Sequence, residues 1–225
     1  MTHDVRRRPR PTGSRRTSPR ELAADTAKVR SERGHATYEQ ILSSAGAVFA
    51  RMGYGGTRLE DIAAEAGISR TTVYHYFPSR RAVFVEIGRR ATTAFRSVLD
   101  AARSIPDRWT EREVAGFVSA HLAYLDEHGA VLTTWTQATW DDRELRDLGL
   151  DAQLTQFRFI GSELQRLRGG TADVDPVHEG MAVLGMIERL WYFARVGGAE
   201  ISDTDLASTL TIETAALLRR NLREH

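Results

Sequence analysis

Cysteine is absent from the 225 residues, which excludes disulfide staples, thiolate metal ligands and cysteine nucleophiles. Lysine is almost absent: Lys28 stands alone among 31 cations. A nucleotide-binding P-loop needs Gly-Lys-Ser/Thr, and Lys28 sits in Thr-Ala-Lys-Val instead. No apolar run approaches the roughly 18 residues of a membrane span, and no apolar segment follows the basic N-terminus to make a secretory signal. A cytoplasmic location without a membrane partner is therefore expected. His178-Glu179 is followed by Gly, Met and Ala, so the His-Glu-x-x-His zinc motif is missing. Glu32 and His35 have the spacing of a di-iron helix but stand alone beside a glycine. No catalytic residue, metal site or cofactor is expected, and the chain does not read as an enzyme.

What is present is helical patterning and an uneven charge. Residues 1–34 carry a net +6 and the remainder a net −5. Pro9, Pro11 and Pro19 lie among Arg, Thr and Ser, a composition too poor in apolar surface to offset ordering, so this basic arm is expected to be disordered. A basic arm on a slightly acidic body fits one end meeting a polyanion. Gly34 is expected to interrupt any helix running out of the arm. Thr37 with Gln40 reads as a capping box opening a helix whose apolar stripe is Ile41, Leu42, Ala45, Val48, Phe49 and Met52.

Thr57 to Arg81 is the most informative stretch. Thr57 and Glu60 read as a second capping box, Gly67 as a left-handed helix exit, and Ser69 as the cap of a short polar helix ended by Pro78. Two helices across a glycine turn, the second rich in hydrogen-bonding side chains, is the helix-turn-helix arrangement that lays a recognition helix in the DNA major groove. Beyond it, periodicity predicts one helix of about 22 residues to Ile105-Pro106, a helix from Thr110 closed at Gly129, a short segment holding Trp135, and a helix from Asp142 to Leu167 that Gly149 can interrupt. Asp175-Pro176 then opens a helix to Val196, and Ser202 opens the last one. The fold class is all-α with about nine helices. Residues 181–193 are apolar almost all round, which implies burial on every side or a partner chain.

Phe49 to Tyr54 (F-A-R-M-G-Y), Thr57, Asp61 to Ala63 (D-I-A), Ala66 to Ser69 (A-G-I-S) and Val73 to Phe77 (V-Y-H-Y-F), in this order, resemble the DNA-binding domain of the TetR family of bacterial transcriptional regulators. The resemblance covers residues 37–84 and is architectural beyond them. It implies an arm at 1–34, a helix-turn-helix domain at 35–82 and a ligand-binding and dimerisation domain at 83–225. It implies that Arg70, Thr71 and Thr72 reach base edges, that Tyr74, His75 and Tyr76 contact or pack beside phosphate, and that Ser69, Arg80 and Thr57 complete the DNA-binding set. Arg80 stands where the family usually has lysine, and Thr71 where a small residue is common.

The same resemblance implies a homodimer through the last two helices and a small-molecule effector in the C-terminal bundle. Phe117, His121, Tyr124, Trp135, Trp140, Phe157 and Trp191 are the candidate ligand walls; each taken singly reads as core, and together they imply an apolar or aromatic effector. The function expected is a repressor on a near-palindromic operator, released by that effector. The alternatives are a dimeric DNA-binding regulator without a ligand and, more remotely, an all-α enzyme.

Overall fold

The computed structural model describes residues 19–170 and 174–219, with side chains from residue 31 onward except at 141. Nine helices and no strand occur among the described residues. They are α1 (Pro19–Gly56), α2 (Leu59–Glu65), α3 (Arg70–Tyr76), α4 (Arg80–Ala94), α5 (Arg96–Arg103), α6 (Glu111–Asp141), α7 (Arg143–Leu167), α8 (Pro176–Arg195) and α9 (Asp203–Arg219). The expected all-α class is what is found. Most of the arm, and with it the expectation of disorder there, lies outside the described residues. No helix among the described residues is long and apolar enough to cross a membrane.

The chain divides into two compact units, one ending at Gln40 and the other beginning at Ile41. In the first, α1 passes through Gly34 without a break, and Thr37 is not a cap. Its hydroxyl donates to the Arg33 carbonyl one turn back, at 2.9 Å, as mid-helix threonines do. In the second unit, Ile41, Leu42, Ala45, Val48 and Phe49 are all buried as their spacing requires, whereas Met52 is exposed. Gly53 leaves the helical region at φ 69°, which ends the regular part of α1.

The start of α2 differs from the Thr57–Glu60 box. Arg58 is the cap residue, and its amide donates to the Asp61 carboxylate at 2.8 Å; a guanidinium cannot accept, so only the reciprocal half of a box is made, one residue further on. The reason is burial. Thr57 is fully enclosed, its hydroxyl turned back to donate to the Gly53 carbonyl at 2.7 Å, and Arg58 takes the position before the first turn of α2. Other caps fall where composition put them. Ser69, Ser79, Asp142 and Asp175 accept from the first-turn amides of α3, α4, α7 and α8, and Thr110 and Glu113 form a reciprocal box on α6.

Three glycine and joint readings change. The helix expected over 79–105 is divided at Phe95, which is buried against Tyr124 at 5.1 Å and His121 at 5.7 Å. Thr92 and Thr93, just before the joint, bond back to the Gly88 and Arg89 carbonyls, an arrangement that bends helices. Gly129 does not close α6, which runs on to Asp141; it makes room for the Trp191 ring, 2.1 Å from where a Cβ would be. Gly149 does not interrupt α7 either.

The bundle core gathers Phe95 and Val98 from the α4–α5 joint, Val114, Val118 and Leu125 from α6, Ile160 and Leu164 from α7, Leu184 and Ile187 from α8, and Leu206 and Leu210 from α9. α7 and α8 cross with backbones nearly touching. A Cβ at Gly161 would sit 1.7 Å from the Pro176 carbonyl oxygen, and one at Gly180 would sit 1.9 Å from that of Phe157. α8 is not buried all round. Val177, Val183, Leu184, Ile187 and Trp191 face inward while Met181 and Phe193 are exposed, so the apolar surplus in 181–193 is an outward face.

The α7–α8 crossing gives a paired prediction. Gly161→Ala overpacks the contact and should destabilise by about 1–3 kcal/mol. Gly46→Ala lies in the interior of α1 with nothing within 4 Å of the new methyl and should stabilise by roughly 0.5–1 kcal/mol. Denaturant midpoints of the two variants, moving in opposite directions, are the check.

Candidate nucleic-acid interface and bundle cavity

The turn between α2 and α3 is built as a helix-turn-helix requires. The Gly67 amide bonds the Ala64 carbonyl and Ile68 the Ala63 carbonyl, both at 3.1 Å, and Gly67 takes φ 64°, the left-handed exit its sequence position predicts. Ser69 Oγ accepts from the Thr72 amide at 3.1 Å and exchanges a 2.8 Å hydrogen bond with the Thr72 hydroxyl. Val73 and Phe77 are buried and fasten α3 to the core. Opposite them, Arg70, Thr71, Tyr74 and His75 are exposed, while Thr72 and Tyr76 are half-buried. Arg70 is 69 % exposed and lies 3.7 Å from Glu60, a loose tether for a side chain this open.

A chain of ring contacts runs from the foot of α3 into the bundle. The Arg80 guanidinium donates to the carbonyls of Gly55 (3.0 Å) and Thr57 (2.9 Å) and lies over the Tyr54 ring at 4.8 Å. Tyr54 meets Phe84 at 4.8 Å, Phe84 also meets Phe49 at 4.8 Å, and Phe84 stacks on Trp135 of α6 at 4.9 Å and 15°. Trp135 is clasped from both sides: Cβ atoms at Gly88 of α4 or Gly149 of α7 would each fall 2.3 Å from its indole. Arg81 adds an ionic tie at the head of α4, pairing with Glu144 and lying 3.9 Å from Asp142.

Behind Trp135 lies a cavity of about 630 Å³ between α4, α6, α7 and α8. Its walls are mainly apolar and aromatic, with Phe95, Tyr124, Trp135, Phe157 and Trp191 around it. Its charged and amide groups are Arg89 from α4, Gln137 from α6, Gln153 and Gln156 from α7, and Glu188 and Arg189 from α8, with the hydroxyls of Thr92, Thr133 and Thr136 beside them. A volume of this size and lining is that of a small-molecule site.

Residues 41–87 match the family model described as bacterial regulatory proteins, tetR family. Residues 41–87 thus carry the TetR-type DNA-binding segment. The match to the regulator RutR of Escherichia coli is 38 % identical over 81 residues, spanning 36 % of this chain and 38 % of RutR. EthR of Mycolicibacterium smegmatis is 24 % identical over 179 residues, 76 % of this chain and 81 % of EthR. Among solved structures, AibR in complex with isovaleryl coenzyme A and operator DNA superposes with a TM-score of 0.63 at 17 % identity, covering 78 % of this chain and 96 % of AibR.

Set against the TetR expectations, the structure brings Ser69, Arg70, Thr71, Thr72, Tyr74, His75 and Tyr76 together on α3 and its cap. Thr57 is a correction: it is fully buried with its hydroxyl engaged, so its side chain cannot also reach a phosphate. Arg80 is committed in part to carbonyls and a ring, as a brace between the head of α4 and the α1–α2 turn. Of the seven expected ligand walls, Tyr124, Trp135, Phe157 and Trp191 line the cavity. Phe117 and His121 point into the closed core instead, and Trp140 is 79 % exposed in the last turn of α6. Helical spacing shows which residues share a face but not which part of that face borders a void. Glu188 was missed, although a carboxylate inside the run M-A-V-L-G-M-I-E-R-L-W-Y-F was a visible signal.

Burial sets the protonation states. Enclosure pushes the His121 imidazole down to about 3, with neither ring nitrogen hydrogen-bonded. Desolvation pushes the Glu188 carboxyl up to about 7, and desolvation, with Glu188 second, pushes the Tyr124 phenol up. The two shifts act oppositely on stability. Below its ordinary value near 6.5, His121 is protonated only in the unfolded chain, so it costs stability as pH falls toward 3. Glu188 retains its proton longer in the folded chain, so its contribution is present below about 4.5 and is lost as pH rises through 7. His121→Leu should therefore stabilise the fold, by a margin that grows by roughly 2 kcal/mol between pH 7 and pH 5, at about 1.4 kcal/mol per pH unit. A margin independent of pH in denaturant titrations would show that His121 is not buried neutral.

Proposed function

We propose that the protein is a sequence-specific, DNA-binding transcriptional regulator, a homodimeric repressor on a near-palindromic operator from which a small apolar effector releases it. The observation that carries the reading is α3: a capped two-turn helix fixed from behind by Val73 and Phe77 that offers Arg70, Thr71, Tyr74 and His75 to solvent. Arg70 is suited to a bidentate contact with guanine, worth about 1–3 kcal/mol of discrimination. Ser69 and Thr72 supply hydroxyls beside it, and Tyr74, His75 and Tyr76 flank the backbone. A helix this short reads few base pairs, so specificity needs two copies about one DNA turn (roughly 34–36 Å) apart.

Three functional segments follow: the basic arm at 1–34 beside the operator, the reader at 35–82, and the bundle at 83–225 that dimerises and senses. The exposed apolar side chains Met181 and Phe193 of α8 and Ile212 of α9 support pairing through the last two helices. AibR, which carries both an acyl-coenzyme A and operator DNA, supports the combination of effector and DNA binding in one such fold. The working place of such a regulator is the cytoplasm, on the chromosome.

Release works through the ring stack. An effector in the cavity touches Trp135; Trp135 cannot move independently of Phe84, Gly88 and Gly149; and Phe84 bears on Tyr54 and Phe49, which hold the base of the reader. A coupling of about 1–3 kcal/mol, small beside the packing involved, changes operator affinity roughly 5–150-fold.

Genome-wide mapping of bound DNA supplies the operator for two measurements. Arg70→Ala with Tyr74→Ala should abolish preference for the operator over random duplex while leaving the fold intact by circular dichroism; retained preference would remove α3 as the reader. Trp135→Ala should hold operator affinity within a few-fold and reduce effector-induced release at least fivefold, read by fluorescence anisotropy. Release equal to that of the unaltered chain would break the proposed link between cavity and reader.

A further inference from the structure

The cavity holds one carboxylate among its aromatic walls, and that carboxylate has no counter-charge. Glu188 lies on the cavity-facing ridge of α8 with Gly185 and Tyr192 and opposite Tyr124 of α6. No hydrogen bond or ion pair of its carboxylate occurs among the described residues, although burial alone raises its pKa. The two arginines of the cavity are otherwise engaged. Arg89 places Nε and Nη2 on the two oxygens of Glu86, at 2.8 and 2.7 Å. Arg189 lies over the rings of Phe193 (4.6 Å) and Tyr192 (5.5 Å), and Phe193 is itself outward-facing. The arginines are thus rim groups with partners, and Glu188 is the inner charge without one.

A buried carboxylate left unpaired is costly, and a site that keeps one gains by receiving its partner with the ligand. Aromatic faces add to the attraction of a cation through their quadrupoles, most strongly when water is excluded. Tyr124, Trp135, Phe157 and Trp191 line the same cavity as Glu188. We propose that the effector of this cavity is a hydrophobic cation, a molecule with a protonated or quaternary amine that pairs with Glu188 while its apolar body fills the aromatic chamber. The proposal rests on reading the cavity as the effector site and names the chemical class that site accepts.

Three probes of equal chain length separate the possibilities on the full chain: decyltrimethylammonium, decanol and decanoate, each titrated calorimetrically at pH 8. The ammonium should bind at least tenfold more tightly than decanol. Glu188→Gln, which keeps the shape and removes the charge, should bring the two within about threefold by weakening the ammonium alone. The unaltered chain supplies a second readout that needs no variant. The ammonium cannot titrate, so its preference over decanol should fall fivefold or more between pH 8 and pH 6 as Glu188 takes up a proton. The other ionisable groups facing the cavity are Arg89 from α4, Tyr124 from α6, and Arg189 and Tyr192 from α8; α7 contributes only the amides of Gln153 and Gln156. Equal binding of all three probes, or tighter binding of decanoate through the arginines, would overturn the cation and leave the effector cavity standing. Binding of none of them would remove the effector site itself.

Discussion

The contact on which the two ends of this molecule depend is the seat of Trp135. An indole is a large rigid plate, and here it is held on three sides with the cavity beside it: glycines on α4 and α7 bound it from two sides, and Phe84 stacks on a third. Interiors packed this closely do not deform by small continuous steps; a displacement at one wall must be taken up by its neighbours. Phe84 belongs to the same helix as Arg80 and Arg81, which tie that helix to the α1–α2 turn and to the head of α7. α4 is therefore held at its start by the reader and the bundle and along its length by Trp135. The Phe95 joint, with its two back-bonded threonines, sets where α4 stops acting as one rod with α5.

How far the sequence disclosed this varies with the kind of interaction. Local signals were legible. Gly67 before Ser69 announced the turn, and the serine and aspartate caps of α3, α4, α7 and α8 sat where hydroxyls and carboxylates precede apolar periodicity. Thr57 was misleading because a capping residue and a buried back-bonding residue have the same side chain, and only burial decides between them. Glycine was misread for a related reason. Gly34, Gly129 and Gly149 looked like helix breaks, yet all three lie within continuous helix; Gly129 and Gly149 are there because an indole occupies the space of the missing Cβ. Such a role depends on a residue distant in the chain, which periodicity does not record.

The ligand walls divide in the same way. Tyr124 and His121 sit one turn apart on α6, and spacing treated them alike, but Tyr124 borders the void while His121 turns into packed core against Phe95. A void is a property of several helices at once. Trp140 shows the opposite error: an aromatic near the end of α6 has no facing helix to cover it and remains in solvent.

Charge placement inside the bundle then constrains what the void can hold. Burial shifts both His121 and Glu188 toward the uncharged form, but their settings differ. Around His121 there is only packed side chain, so the neutral ring is the end of the matter and the residue acts on stability alone. Beside Glu188 there is open volume of about 630 Å³, so a molecule can arrive and alter the electrostatic balance of that site. A neutral apolar guest would fill the space and offer the carboxyl no partner. A cationic guest would ionise it, and the interaction gained exists only while the guest is present. That difference gives such a ligand a free energy specific to the bound state, and only a free energy that differs between two states can shift the balance between them. The carboxylate lies on α8 and Trp135 on α6, both lining the cavity, so a guest spanning the two would set its charge against one wall and its apolar bulk against the plate that bears on the reader.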